Sequence, residues 1–380
     1  MDSTKTHSAE NERNSVLFFS RFVLNENAGG GCRRETQLGE ALKPLDYTFI
    51  SWRDSDSFLR RMGLRDRFLD RTGRFLHPFG LYWDRAFVDQ AWNMKSATLE
   101  WKRYADRCPD VTLAIIDDPI FFYPLVEHFH ERGIPVVALC QNIESLSFNQ
   151  VDGSRQARLF SREISVLKKC KLVVTISREE TFLLKNFNIP AYFFPYHPVR
   201  SIEDRMKRVR DNRRHTDKSD FLLLGTVGNM VTLEGMKTFI EFWNRRDAED
   251  GMTLLVGGYG TPKYLGGKST ELVRYIGALS NEELDQTLST IRAFICFQEF
   301  GAGALTKIKE MMIAGVPVLA SSHAARSYYG SRGVIEFSGL GDFDKAVDAL
   351  NRLQDAPHHE DEILIPDADE LVGRIREVLE

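Results

Sequence analysis

The segment from Cys296 to Ser321, CFQEFGAGALTKIKEMMIAGVPVLAS, restricts what this chain can fold into more than any other. Phe294 to Phe297 is a short apolar run suited to a buried strand. Gly301 and Gly303 permit backbone angles that other residues resist. Thr306 then opens a helix that runs through Glu310 to Ile313. Gly315 stops it, Pro317 cannot extend it, and Val316 to Ala320 reads as the next strand. A glycine loop feeding a helix start offers free backbone N–H groups and the positive end of a helix dipole, which is a seat for a diphosphate. Lys307 and Glu310 lie about one helical turn apart on a shared face. A cation beside phosphates, with a carboxylate accepting from sugar hydroxyls, is what a nucleotide-sugar needs. The alternative is an ordinary solvated ion pair on a surface helix.

The same alternation of apolar strand and helix runs along the chain. Ser15 to Ser20 is a first strand, Ala28 to Gly31 a glycine loop, Arg33 to Leu42 a helix and Tyr47 to Ser51 a second strand. The G-x-G-x-x-G spacing is missing, so this opening does not read as an NAD site. Val111 to Ile116, Ile134 to Cys140, Leu172 to Thr175 and Ala191 to Phe194 are further strands, with helices between them. Ser177 carries the marks of an N-cap, with Glu179 and Glu180 just behind it. A second run starts at Phe221 to Gly225, with a helix over Leu233 to Trp243, strands over Thr253 to Val256 and Val273 to Gly277, and a helix from Asn281. The expected organisation is therefore α/β, with two tandem Rossmann-like domains and a cleft between their strand ends. Residues 1–14 form a polar, disordered N-terminus. Residues 15–199 form the first domain and 200–219 a charged linker or exposed helix. Residues 220–365 form the second domain, and 366–380 a C-terminal helix that packs back on the first.

Trp52 to Asp110 is rich in arginine and aromatic residues, as in Phe58-Leu59-Arg60-Arg61-Met62. Such amphipathic text can lie on an anionic membrane, or its arginine stems and rings can cover a core. The net charge of −4 disfavours a nucleic-acid partner. Five cysteines, Cys32, Cys108, Cys140, Cys170 and Cys296, have no metal-type spacing and read as free thiols of a reducing compartment. No apolar run approaches ~18–20 residues, and the N-terminus has no signal-peptide core. The expectation is a cytoplasmic protein, with peripheral contact at the inner face of a membrane as an extension.

The text Lys307-Ile308-Lys309-Glu310-Met311-Met312-Ile313-Ala314-Gly315-Val316-Pro317-Val318 resembles the donor-site segment of GT-B glycosyltransferases, especially the retaining family 4 group. The resemblance is sharp over residues 298–318 and diffuse over the rest of the chain. It implies transfer of a sugar from a nucleotide-diphosphate sugar (UDP- or GDP-sugar) to a hydroxyl acceptor, a glycan or lipid-linked surface-polymer precursor, without a metal or other cofactor. It implies catalytic roles for Lys307, Glu310, Gln141 and Glu144. It implies donor binding by Gly29, Gly30, Gly31, Gly228, Asn229, Gly258, Tyr275, Glu299, Gly301, Ala302, Gly303, Ala304, Leu305 and Thr306. Asp117, Asp118 and Asn142 are the acceptor-side candidates, and helix capping is the alternative for the two aspartates. His197, at the domain junction, reads as a packed hinge residue rather than a base.

Three departures from the family pattern matter. The first acid of an acid–x7–acid pair falls on Ala302, with Glu299 as a substitute. The arginine and lysine of the second-domain phosphate loop are replaced by Asn229 and Glu234. A cleft histidine is replaced by Gln141, which cannot take a proton at neutral pH. These losses leave open a non-catalytic relative that binds a nucleotide-sugar or acts as a partner subunit. A sugar-nucleotide epimerase ranks last, because it needs further acidic and histidine groups in the cleft.

Overall fold

The computed structural model describes residues 16–27, 29–51, 101–147, 153–213, 219–246, 251–265, 268–353 and 365–380. The expected disordered N-terminus and most of the arginine- and aromatic-rich stretch lie outside the described residues. Two six-stranded sheets carry the fold, and every described pairing in them is parallel.

The first sheet contains β1 (Val16–Ser20), β2 (Tyr47–Ser51), β3 (Leu113–Asp117), β4 (Val136–Cys140), β5 (Leu172–Thr175) and β6 (Ala191–Phe193), in the order β2-β1-β3-β4-β5-β6. Its helices are α1 (Gly30–Leu42), α2 (Tyr123–Glu131), α3 (Gly153–Leu167) and α4 (Arg178–Asn186). After α5 (Arg200–Asn212) comes the second sheet. It contains β7 (Asp220–Leu224), β8 (Thr253–Gly257), β9 (Val273–Gly277), β10 (Ala293–Cys296), β11 (Val318–Ser321) and β12 (Val334–Phe337), in the order β12-β11-β10-β7-β8-β9. The helices around it are α6 (Met230–Trp243), α7 (Asn281–Thr290), α8 (Thr306–Ile313) and α9 (Phe343–Leu353), and the chain ends in α10 (Ala368–Glu377).

The strand orders matter for function. In each sheet the direction of winding reverses once, between β1 and β3 in the first and between β7 and β10 in the second. Connections at such a point leave on opposite faces, so a crevice opens beyond the strand ends. The strands β1, β3 and β4 are buried along their whole length, which fits their unbroken apolar text and helices covering both faces.

One boundary differs from the expectation. The charged stretch after residue 199 is not bare linker: α5 buries Ile202, Met206 and Val209 in the same core as Leu222, Phe294 and Ile308. Three apolar residues at helical spacing suffice to dock it, although their charged neighbours mask them in composition. Helix α10 crosses back, burying Leu371 and Ile375 with Leu38, Leu42 and Phe194 of the first domain. The chain therefore joins its two domains by covalent crossings at α5 and before α10.

All five cysteines are free. Cys140, Cys170 and Cys296 are buried, and Cys32 and Cys108 half-buried. Among the described residues, no helix is long and apolar enough to cross a membrane.

Candidate active site

The expected glycine loop before the first helix is largely helix. Gly29 is the N-cap of α1, and Gly30 and Gly31 form its first turn. Close approach explains Gly30 and Gly31. A Cβ on Gly30 would lie 2.7 Å from Thr306 Oγ1, and one on Gly31 would lie 2.6 Å from the Phe22 ring. Thr306 is the first residue of α8, whose N-cap is Leu305. Neither α1 nor α8 has a side-chain cap. Two helix N-termini, one from each domain, thus meet across the seam with their leading N–H groups left for another acceptor.

The loop before α8 is held from behind. Arg326 donates from Nε to Gly303 O at 2.7 Å and from Nη2 to Ala302 O at 2.8 Å. His323 Nε2 lies 2.9 Å from Gly301 O, and Tyr328 Oη donates to Leu305 O at 3.0 Å. Four loop carbonyls are thereby turned into the second domain. Arg326 and His323 sit beyond the family-like segment, and no spacing in the sequence connects them to it.

The first domain fixes the same loop from the front. Glu180, near the start of α4, accepts from Ile143 N at 2.8 Å and Gly303 N at 2.9 Å through one oxygen. Gly303 has φ +71°, and a Cβ there would lie 2.3 Å from Asn142 Oδ1 and 2.5 Å from Gln141 O. Asn142, Gln141 and the loop before α8 are therefore neighbours across the domain seam.

Lys307 and Glu310 do share the cleft-facing helix. The Lys307 ammonium donates to Leu224 O, at the end of β7, at 2.8 Å. Glu310 is 4% exposed and ion-paired to Arg33 of α1 through Oε2, while Tyr196 Oη donates to its Oε1 at 2.8 Å. Burial is the largest influence on Arg33, yet the Glu310 carboxylate holds its guanidinium pKa above the ordinary value. The structure thus makes Glu310 a clamp between the domains, a role that Arg33 and Tyr196 reveal only once the chain is folded. Arg33 closely follows the glycines, which was the one available signal.

The acceptor-side candidates gather at the switch point of the first sheet. Asp117 accepts from Ser20 Oγ at 3.2 Å and from Gln141 Nε2 at 3.3 Å. Gln141 Nε2 also lies 3.4 Å from Glu35 Oε2 and from Gly31 O. Asp118 has φ 46° and pairs with Arg21 Nε at 2.6 Å. Glu144 accepts from Asn142 Nδ2 at 3.0 Å and lies 3.7 Å from Arg21 Nη2. The aspartates therefore serve an internal charge network rather than a helix cap. Burial is the main cause that raises the carboxyls of Asp117 and Asp118 well above the usual range and pushes Glu35 up to about 8. Arg21 and Glu35 belong to this cluster although no motif in the sequence singles them out.

Other candidates sit apart from it. Asn229 accepts from Thr232 N at 3.0 Å and so caps α6, which starts at Met230, earlier than Leu233. Its side-chain oxygen is committed to that cap, a use that an Asn at a helix start favours over ligand contact. Gly228 and Glu299 are exposed. Gly258 packs against Gly225, since a Cβ would fall 1.9 Å from Gly225 O. Tyr275 Oη donates to Leu265 O at 3.2 Å, beside the end of β9. His197 is buried at the junction with Nε2 3.3 Å from Glu203, as a packed residue would be. Among the described residues, no group of three or more His, Cys, Asp or Glu is arranged to hold a metal.

The buried acids make stability depend on pH in a defined window. Burial pushes Glu35 and Glu163 up to about 8 and Glu180 to about 7. The folded chain therefore keeps protons that the unfolded chain has lost, so these groups lower stability as pH rises from the ordinary carboxylate range to about 8. His197 and His323, lowered from 6.5, act in the opposite sense below that pH. Between pH 6.5 and 8 the acids outnumber the one opposing group, Lys309, which burial lowers to about 8, and Tm is expected to fall across the window. Glu35→Gln should flatten the fall in a thermal-melt series. A Tm that rises from pH 6.5 to 8 would refute this assignment.

Two parallel-sheet domains facing each other across their switch points define the GT-B fold. Residues 222–380 match the family model described as Glycosyl transferases group 1. The chain has the GT-B fold, and its second domain is similar to that family. It is similar to a sucrose-phosphate synthase from Thermosynechococcus elongatus at 13% identity and TM-score 0.57, over 96% of this chain and 94% of that one. It is also similar to an α,α-trehalose 6-phosphate synthase from Burkholderia multivorans at 12% identity and TM-score 0.59, over 96% and 94%. A third similar structure is the Anabaena protein HepE in complex with UDP and glucose, at 11% identity and TM-score 0.52, over 96% and 99%. At these identities the likeness is one of fold. No curated protein matches the chain.

Proposed function

We propose that this protein transfers a sugar from a nucleoside-diphosphate sugar to an acceptor hydroxyl, and that the diphosphate is held between the N-termini of α1 and α8. The observation that carries this reading is the meeting of those two helix starts, neither capped by its own side chain, at Gly30 and Thr306. Charge develops on the diphosphate as the anomeric C–O bond breaks. Fixed N–H dipoles, Lys307 and the remaining N–H groups of Arg33 stabilise it without reorganising. A new C–O bond forms between the anomeric carbon and the acceptor oxygen, and the acceptor's proton passes to the departing diphosphate oxygen.

Lys307 is held at the end of β7 by one of its three donors, leaving two for phosphate oxygens. Glu310 is the ribose-binding carboxylate, oriented by Arg33 and Tyr196, with lone pairs left to accept from hydroxyls. Gly258, Tyr275 and Gly228 border the base. The acceptor enters over Asn142, Gln141 and Glu144, above Asp117 and Asp118. Retention of configuration and independence from metal rest on the likeness of the Lys307–Val318 text to retaining enzymes. HepE is described in complex with UDP, which supports a uridine donor here. A hexosyl donor and a glycan or lipid-linked acceptor complete the reading.

Lys307→Met is expected to lower transfer, or donor hydrolysis, by about 100-fold. UDP- and GDP-sugars are supplied in turn and the released nucleoside diphosphate is measured. Wild-type turnover by the variant would overturn the phosphate role of Lys307.

One observation favours a second reading. Asn229 is committed to capping α6, so the β7–α6 loop offers a diphosphate one side chain fewer. A protein that binds nucleotide-sugars without turning them over would show saturable binding of UDP-sugar and no diphosphate release.

A further inference from the structure

The first turn of α4, in the first domain, makes two separate contacts with the second domain, and both lead to the loop before α8. Glu180 accepts from the Gly303 amide of that loop. Its neighbour Glu179 reaches a different segment, Arg326-Ser327-Tyr328, which follows β11. Glu179 accepts from Ser327 N at 2.8 Å through Oε1 and from Ser327 Oγ through Oε2. Arg178 N donates to the same Ser327 Oγ at 3.2 Å. Two adjacent residues of the first domain thus close on one serine of the second, with the hydroxyl donating once and accepting once.

That serine has an uncommon backbone. Ser327 sits at φ +66°, a left-handed conformation unfavourable to a residue with a Cβ. Such a residue persists where its surroundings over-determine it, and here the fixing groups come from the other domain. Burial acts to raise the Glu179 carboxyl, but its hydrogen bonds, those from Ser327 foremost, outweigh burial and hold it below the ordinary value. The acceptor at neutral pH is therefore the ionised carboxylate, which makes the stronger bond.

The residues on either side of Ser327 hold the loop. Arg326 donates to Gly303 O at 2.7 Å and to Ala302 O at 2.8 Å, and Tyr328 Oη donates to Leu305 O at 3.0 Å. Rotation at the Ser327 backbone swings one of these side chains relative to the other. They stay aimed at the loop together only while Ser327 keeps its φ. The path of the loop in turn sets where the leading N–H groups of α8 point.

We propose that Glu179 is a positioning residue for the anion seat: by holding Ser327 in its left-handed conformation, it keeps Arg326 and Tyr328 aimed at the carbonyls of the loop before α8. This rests on the reading of that loop as the diphosphate seat. With Glu180 on the Gly303 amide, the first turn of α4 governs both an amide and, through Ser327, the carbonyls of the loop. The first domain thereby shapes a seat built from second-domain residues. Glu179 acts through Ser327 and needs no contact with substrate.

Hydrogen–deuterium exchange of the full chain, read by mass spectrometry over residues 301–308, tests the link. Calorimetric titration with UDP and with GDP tests its consequence. Glu179→Ala removes both carboxylate bonds and is expected to speed exchange there about tenfold. Ser327→Ala loses only the hydroxyl and should speed it about threefold. Glu179→Gln keeps a side-chain oxygen for the Ser327 amide and should restore most of the protection. Nucleoside diphosphate affinity should fall in the same order, because it follows the fraction of loops in the binding-competent shape. Glu179 is exposed, so its variants should fold, with exchange in the rest of the second domain unchanged. Unchanged exchange over residues 301–308 in Glu179→Ala would overturn the proposal. So would exchange raised equally across the second domain, or a glutamine variant as impaired as the alanine one, since either makes Glu179 a general domain contact. Exchange that follows the expected order in a chain binding neither UDP nor GDP would sink the diphosphate reading and keep the link from Glu179 to the loop.

Discussion

Gly303→Ala is expected to lift the donor loop off the first domain and to cut sugar transfer by about 100-fold, the usual cost of a ~1 Å misplacement of a binding group. The left-handed φ of +71° alone costs an alanine about 1 kcal/mol. Steric overlap costs more. The new Cβ would lie 2.5 Å from Gln141 O, a backbone atom that cannot rotate away. Relief requires moving the loop, which breaks the Gly303 N–Glu180 bond and leaves a buried carboxylate short of a donor, at about 1–3 kcal/mol. Arg326 holds the other side of the loop, so the displacement stays local and Tm should fall by only a few degrees. Steady-state kinetics, with small-angle scattering to follow the seam, check this. An alanine variant with wild-type kcat would show that the loop does not face the reaction.

Glu310→Ala should have the second large effect, and it separates two roles of one carboxylate. The variant leaves the Arg33 guanidinium and the Tyr196 hydroxyl facing each other at the seam without the acceptor they share. Breaking a buried pair by removing one partner costs about 3–5 kcal/mol, and less here because the Arg33 side chain keeps 19% of its exposure. Arg33→Met removes the other partner and should destabilise by a comparable amount. If Glu310 also accepts from ribose, UDP affinity falls far more in Glu310→Ala than in Arg33→Met. Equal loss in both variants would reduce Glu310 to a domain clamp. The double variant completes the cycle that measures the coupling of the pair.

The α/β alternation, the two-domain division and the Lys307–Val318 segment were legible in the sequence because each follows from local rules. Period-two and unbroken apolar runs mark strands, and glycine and proline mark the ends of helices. The same rules placed Lys307 beside the seam. They misread Gly30 and Gly31 as loop because glycine normally weakens a helix. At these positions Thr306 and Phe22 approach too closely for any side chain. They also left α5 as a linker or an exposed helix and missed its buried face, since Ile202, Met206 and Val209 are few among many charges.

By itself the sequence determined the order of strands and helices, including the glycine loop and helix from Gly301 to Ile313. These depend on backbone propensity and on apolar spacing within about twenty residues. Only the tertiary structure decided which groups face that segment. Arg33, Asn142, Glu180, Tyr196 and Arg326 all reach it or its helix, yet they are spread along most of the chain. Their meeting depends on two sheets reversing their winding at facing edges, and on α5 and α10 crossing between the domains. Contacts of such long sequence separation arise from the packing of whole elements, which no local pattern encodes.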